Sequence, residues 1–232
     1  MVAKWIEPIA YVQGGFSERF GTPRQPGLTP HARANVVLVA PYDDPAALRG
    51  LAGCSHVWLL FGFHLTPASW SATVRPPRLG GNRRVGVFAT RSPYRPNGLG
   101  QSAVTLEAVR DQGAWYGLVI TNHDLVDGTP VYDIRPYMPY SDVIREAEPP
   151  PGFEGAPKAL TVRFKPEAER AVAGLGEAER ALIREVLAAD PRPAVQRHRP
   201  GRRHAVTLSG RDIHWYVADG EVVVESVSEE GR

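Results

Sequence analysis

The chain has a single cysteine, Cys54, among 232 residues, which excludes an internal disulfide and any four-cysteine zinc site. A reducing, cytoplasmic setting fits. Long apolar runs are also missing. The longest, Val57 to Phe63 with Gly62 inside it, is far short of the roughly 20 residues a membrane span needs, so no membrane partner is expected. The opening MVAKWIEPIAYVQ lacks a basic segment followed by an apolar core and a small-residue cleavage site, so no secretory signal is expected. No Walker-type phosphate loop is present. Asn97-Gly98-Leu99-Gly100 follows Pro96 rather than a strand and precedes a strand-like segment, so it fails as a dinucleotide fingerprint. There is no Gly-x-Ser-x-Gly elbow. His56 and His64 fall on one face of a strand, but eight residues at about 3.3 Å each hold them ~26 Å apart. No metal is expected.

Breakers are plentiful. The 23 Gly and 22 Pro exclude an all-helical bundle and predict many short elements. Residues 1–147 read as a β-rich module. Strands are expected at Ile6 to Val12, Asn35 to Ala40, 55–63, 84–90, 102–109, 114–121 and 131–134. A short helix from Pro45 to about Leu51 is expected, with Asp43 and Asp44 as candidate caps. So many short strands without regular strand–helix alternation point to a small barrel or strongly curved sheet rather than a doubly wound fold. The segment 148–158, EPPPGFEGAPK, reads as a linker. A smaller α+β domain over 159–232 is expected beyond it. It opens with a strand around Leu160, Val162 and Phe164. A helical stretch from Glu167 to Ala189 follows, split at Gly174 and Gly176 and stopped at Asp190-Pro191. A closing β-meander has its hairpin at Asp219-Gly220.

Of the 27 basic residues, 24 are arginine. A GC-rich genome would produce that bias, and so would recognition of phosphate and bases by planar guanidinium forks. The stretch 73–102 holds Arg75, Arg78, Arg83, Arg84, Arg91 and Arg95 and no acid, a local charge of +6. Tyr94 and Asn97 add a stacking face and a bidentate amide. A second run, 192–204, holds Arg192, Arg197, His198, Arg199, Arg202, Arg203 and His204, again without an acid. Two basic runs on two modules suit a long polyanion.

Five separated motifs, in order, resemble the TsaA/TrmO family: PRQPGL (23–28), APYD (40–43), SHVWLLFGFH (55–64), VRPPRLGGNRRVGVFATRSPYRPNGLG (74–100) and DLVDGTPVYDIRPYMPYSD (124–142). IREVLAADPRPA (183–194) resembles the family's bacterial C-terminal domain more loosely. The resemblance implies a small non-Rossmann β-barrel, S-adenosylmethionine as cofactor, and methylation of N6-threonylcarbamoyladenosine beside the anticodon of tRNA. It also implies a homodimer. The matching cofactor positions are Gln25, Pro26, Gly27, His64, Leu65, Arg91, Gln101, Leu125, Val126, Asp127 and Gly128. Leu65 and Gln101 depart from the residues members often carry there. The attacking nitrogen is urea-like and a poor nucleophile, so a base or an oriented hydrogen bond should help. Asp127, Asp133 and Asn97 are the catalytic candidates. Asp127 equally fits a ribose contact or the shaping of its turn. Asp133 equally fits a buried partner of Arg135. Arg95, Tyr94 and Arg135 are candidates for the substrate base and its carboxylate; Arg192, Arg199, Arg202 and Arg203 are candidates for the RNA backbone. Two rival readings remain at this level: a non-catalytic RNA-binding module, and a binding protein for a small nucleotide or anion.

Overall fold

The computed structural model describes residues 5–193, 196–197, 199 and 201–231. The first module carries eight strands: β1 (Ala10–Gln13), β2 (Arg33–Leu38), β3 (His56–Gly62), β4 (Thr73–Val74), β5 (Val85–Gly86), β6 (Leu99–Arg110), β7 (Gly117–Thr121) and β8 (Pro130–Pro136). Six of them close a barrel in the order β1-β2-β7-β6-β3-β8. All neighbours in it are antiparallel. Closure leaves no free sheet edge. Alternation decides what faces inward: Val57, Leu59 and Phe61 of β3 join Val12, Val36, Val104, Leu118, Ile120 and Val131 in the core. His56 and Trp58 face out. Trp58 packs on Tyr137, and its indole donates to Asp142 in a short helix, α1 (Pro139–Asp142), at 3.0 Å.

The register fixes where the connections emerge. Gln13 pairs with Asn35, Arg33 with Thr121, Gly62 with Leu99, and Tyr11 with Pro130. Three connections, 14–32, 63–98 and 122–129, therefore leave from one end of the barrel. Segments 39–55 and 111–116 leave from the other. In β8, Leu60 pairs with Asp133 but Phe61 with Val131. Tyr132 is the extra residue of a bulge, a device that re-aims a side chain.

Residues 148–158 form no strand or helix. They are nonetheless held: Arg78 donates to the carbonyls of Gly152, Glu154 and Gly155 and lies over the Phe153 ring. The second module has β9 (Thr161–Phe164), α2 (Pro166–Ala173), α3 (Glu177–Ala188), β10 (His204–Leu208), β11 (Arg211–Ala218) and β12 (Glu221–Glu229). The sheet order is β10-β11-β12-β9, with β9 parallel to β12. Asp219 and Gly220 both have positive φ, as the tight hairpin between β11 and β12 requires. Trp215, Ile213, Val206, Leu208, Ile183 and Leu187 form its core, and Phe16 and Ala32 of the first module are buried in the same cluster.

Several elements differ from the sequence expectation. The helix expected from Pro45 is two short 3-10 turns, 45–48 and 51–53, because Gly50, at φ 90°, breaks the run between them. Asp44 does cap the first, accepting from Ala46 N at 2.8 Å. The strand expected over 84–90 is only Val85–Gly86, followed by a 3-10 turn; its partner β4 is two residues long and gives it nothing more to pair with. β1 starts at Ala10 rather than Ile6, whereas β6 runs from Leu99 to Arg110.

Gly117 opens β7 at φ 149°, and a Cβ there would stand 1.9 Å from the Val36 carbonyl oxygen. The clash is with paired backbone, so no side chain can yield. Gly117→Ala should cost about 3 kcal/mol and lower the barrel's melting midpoint by ~10 °C. Scanning calorimetry checks this, and an unchanged midpoint would contradict the strained register.

Candidate active site

The three connections at one barrel end bring together residues that are up to 113 positions apart. Arg91 donates to the Gln25 side-chain carbonyl. Gly27 N donates to Asn122 Oδ1 at 3.0 Å. The 14–16 and 126–128 segments are laced together: Gly14 N donates to Asp127 Oδ1 at 2.7 Å, Asp127 N to the Phe16 carbonyl at 2.8 Å, and Gly128 N to the Val12 carbonyl at 2.8 Å. His64 is exposed, and its Nε2 lies 3.7 Å from where a Cβ on Gly128 would stand. Arg19 donates to the Leu65 carbonyl at 3.5 Å, leaving the Leu65 side chain exposed. Gln25, Gly27, His64, Leu65, Arg91 and Leu125 to Gly128 thus share one rim. Within it Leu125 is a core residue under the loop, so only its backbone is available.

Beside this rim lies a cleft of about 300 Å³ lined by Gly62, His64, Arg95, Asn97, Pro130 and Tyr132, among others. Arg95 has one amino group on the carbonyls of Thr90 (2.8 Å) and Val87 (3.4 Å), which fixes its loop and leaves other N–H groups for a ligand. Tyr94 is exposed two residues after Ser92, whose Oγ accepts from Tyr94 N at 3.3 Å.

Other expected residues are not brought here. Asp133 and Arg135 lie in the half of β8 that runs toward the opposite barrel end. Asp133 lines a separate cavity there with Leu48 and Cys54, and Arg135 donates to it at 2.7 Å. That pair is exposed rather than buried. Gln101 is exposed on β6, while its neighbour Ser102 turns inward. Ser102 donates to Asp124 Oδ1 at 2.7 Å. Sequence reasoning passed over Asp124 and Ser102; the only signal was the position of Asp124 at the head of the DLVDG motif. Burial pushes the Asp124 carboxyl up to about 6, although the Ser102 hydrogen bond and the Arg91 charge favour ionisation. Its neighbour His123 is buried behind Gly15 and is pushed down to about 4, chiefly by burial.

The second basic run divides. Arg192 is buried and forked onto Asp190 at 2.7 and 3.1 Å, and Arg197 pairs with the same carboxylate. Arg203 pairs with Glu225 at 2.8 Å. The acids come from outside the run, which is why the run looked unopposed. Arg192 is therefore unavailable to a phosphate. Arg199 and Arg202 are exposed, and among the described residues no acid pairs with them. His198 lies outside the described residues. Among those described, no group of three or more His, Cys, Asp or Glu could hold a metal, and no helix is long and apolar enough to cross a membrane.

The rim has the chemistry S-adenosylmethionine requires. A Cβ at Gly27 would meet nothing within 4 Å, and one at Gly128 only His64, so a ligand can approach both backbones. Arg91 offers a cation for a carboxylate, Asp127 an anion for a diol or ammonium, and Leu65 an apolar surface for a base.

Comparison with known proteins agrees with this geometry. Residues 11–143 match the family model for the tRNA-methyltransferase O N-terminal domain, and 157–230 that for the TrmO C-terminal domain. A tRNA (adenine(37)-N6)-methyltransferase from Escherichia coli is 43% identical over 219 residues, 92% of this chain and 93% of the relative. A putative S-adenosylmethionine-dependent methyltransferase from Pseudomonas aeruginosa is 45% identical over 222 residues, 91% of each. A crystal structure of TrmO from the same species superposes with a TM-score of 0.79 at 38% identity, covering 99% of this chain and 98% of that one.

The two buried titratable neighbours have opposite linkage. Asp124 keeps its proton in the fold to about pH 6, while the unfolded carboxyl releases it near 3.8. Ionising it costs the fold about 3 kcal/mol, a cost absent below pH 4 and complete above pH 6. His123 contributes stability above its ordinary 6.5 that is lost as pH falls through about 4. Asp124→Asn removes only the first effect. Relative to wild type, the variant should gain about 3 kcal/mol between pH 4 and pH 7 in urea unfolding. A difference that does not change with pH would show that Asp124 is not a buried ionisable carboxyl.

Proposed function

The chain belongs to the tRNA-methyltransferase O family, and we propose that it methylates N6 of threonylcarbamoyladenosine beside the anticodon of tRNA, drawing the methyl group from S-adenosylmethionine at the rim. One observation carries this reading most directly: three connections meet at one barrel end and place a rim of mixed charge beside a cleft holding His64, Arg95 and Asn97.

When bound, S-adenosylmethionine supplies an electrophilic methyl on a cationic sulfur. The chain's own residues do the rest. Arg91 and Gln25 form one bonded unit that holds the donor's polar end, and Asp127 is fixed by Gly14 through Oδ1, leaving Oδ2 for the ligand. The Asn97 side-chain oxygen, in the cleft lining, can accept a hydrogen bond from N6–H and so orient the nitrogen lone pair toward the methyl; the N6 proton leaves to solvent as the N–C bond forms and the S–C bond breaks. Much of the rate then comes from alignment and exclusion of water. Arg95 is the cation in the cleft for the substrate's threonyl carboxylate, which would be costly to bury unpaired. Arg135, ion-paired near the other end, is a poorer candidate for that role. The exposed Phe88 and Trp70 on the same long connection suit a second copy of the chain packing near the rim, so the reading includes a homodimer in a cytoplasmic setting.

Two outcomes test this. Anticodon stem-loops with the threonylcarbamoyl group should be methylated with kcat/KM at least about a hundredfold above unmodified loops, and Arg95→Lys should shrink that ratio. Equal kcat/KM for the two loops would remove the carboxylate argument. For the RNA backbone, Arg199→Ala with Arg202→Ala should lower the log–log salt slope of tRNA binding by about 1.5. Arg203→Ala, which breaks an ion pair on Glu225, should change it much less. An unchanged slope in the double variant would take the second module out of RNA contact.

A further inference from the structure

The connection 14–32 has neither helix nor strand, yet much of it is buried: Phe16, Thr29 and Ala32 are each at most 2% exposed. Its shape is set by what it touches on two sides. On one side it forms the rim, through Gly14 to Asp127, Gly27 to Asn122 and Gln25 to Arg91. On the other it enters the second module. Phe16 and Ala32 are buried among Trp215, Leu208 and Ile183, and Phe20 packs against them. Gly21 sits so close to β10 that a Cβ there would be 2.5 Å from Val206 Cγ2. Arg24 donates to the Arg192 carbonyl at 3.2 Å. Glu185 of α3 takes the loop's end with both oxygens: Oε2 accepts from His31 N at 3.1 Å, and Oε1 lies 2.6 Å from His31 Nδ1.

We propose that the second module is a positioning element for the methyl-donor loop, and that Glu185 is its chief polar clasp. Within 14–32 the backbone pairs with itself at Ala32 N to the Thr29 carbonyl, at 3.0 Å, outside the stretch that holds Gln25 and Gly27. The donor-binding part of the loop is therefore only as well ordered as its outside contacts, and it needs a supporting shell to hold it within a fraction of an ångström. Here the shell is supplied by another module. The buried Arg192–Asp190 pair belongs to the same shell. It shapes the segment whose carbonyl receives Arg24, which accounts for a buried arginine whose charge is taken up by Asp190. The second module therefore acts on the donor site even with no RNA present. Glu185 touches neither donor nor base; it acts through residues 16–32 on Gln25 and Gly27.

The proposal rests on the donor reading above, and the experiment separates the two. S-adenosylmethionine is titrated calorimetrically into the full chain without RNA, and amide hydrogen exchange is followed over residues 14–32. Glu185→Ala should weaken donor binding about tenfold, speed exchange in that segment, and leave tRNA affinity within about twofold. Glu185→Gln, which keeps an oxygen to accept from His31 N, should restore much of the donor affinity. If Glu185→Ala does not fold, His31→Ala, on the exposed side of the same clasp, should show the same pattern in milder form. Unchanged exchange and donor affinity in the folded variants, or a loss confined to tRNA binding, would overturn the proposal. A wild-type chain that binds no donor would overturn the donor reading, while the exchange data would still decide whether the second module orders the loop.

Discussion

Closing six antiparallel strands into a ring gives the chain only two places to put everything else. Each strand must hand over to the next at one end or the other, and the register sends 14–32, 63–98 and 122–129 to the same end. These are segments with high arginine, glycine and proline content that could not themselves form a core. The barrel supplies the rigidity, and the connections supply the chemistry, as is usual when functional residues sit on loops over a rigid frame. Asp124 shows how tight the junction is: its loop is drawn down until Leu125 enters the barrel core, and the carboxylate beside it is buried against Ser102.

The arginines of the two basic runs fall into two physical groups. In the run 73–102, Arg78, Arg84, Arg91 and Arg95 are held by neutral oxygens: carbonyls, the Thr73 hydroxyl and the Gln25 amide. Such bonds fix a guanidinium without cancelling its charge. In the second module, Arg192, Arg197 and Arg203 are held by carboxylates, and their charge is spent locally. The same density of basic residues in sequence thus gives a positive field over the cleft in one case and mostly structural ion pairs in the other, with Arg199 and Arg202 left over for a polyanion.

That distinction marks the limit of what the sequence shows. Periodicity located β3, β6 and β7, the split of α2 from α3 at Gly174 and Gly176, and the Asp219-Gly220 hairpin, because each depends on neighbours within a few residues. It overstated the strand at 84–90 because the alternative, a 3-10 turn with a two-residue partner, depends on pairing elsewhere in the chain. The rim residues were found through five motifs, not through spacing. The grouping of Asp133 with them failed because Asp127 lies in the connection before β8, whereas Asp133 lies midway along β8 and faces the cavity with Leu48 and Cys54. Arg192 was misjudged for a similar reason: its partner, Asp190, stands just outside the basic run and turns back through a left-handed φ of 51° to meet it.

The charge arrangement also bears on the reaction. The three connections at the site end carry eight arginines against Glu18, Asp124 and Asp127. Such an excess raises a positive potential over the cleft, which favours a polyanion such as tRNA. On the proposed reading it would also favour the threonyl carboxylate at the reacting base. A cationic methyl donor bound at the rim would be opposed by the same field, and Asp127, fixed by Gly14 N at 2.7 Å, is the carboxylate that would offset its charge. One excess of arginine thus suits the anionic partner and makes Asp127 the group on which a cationic donor would depend.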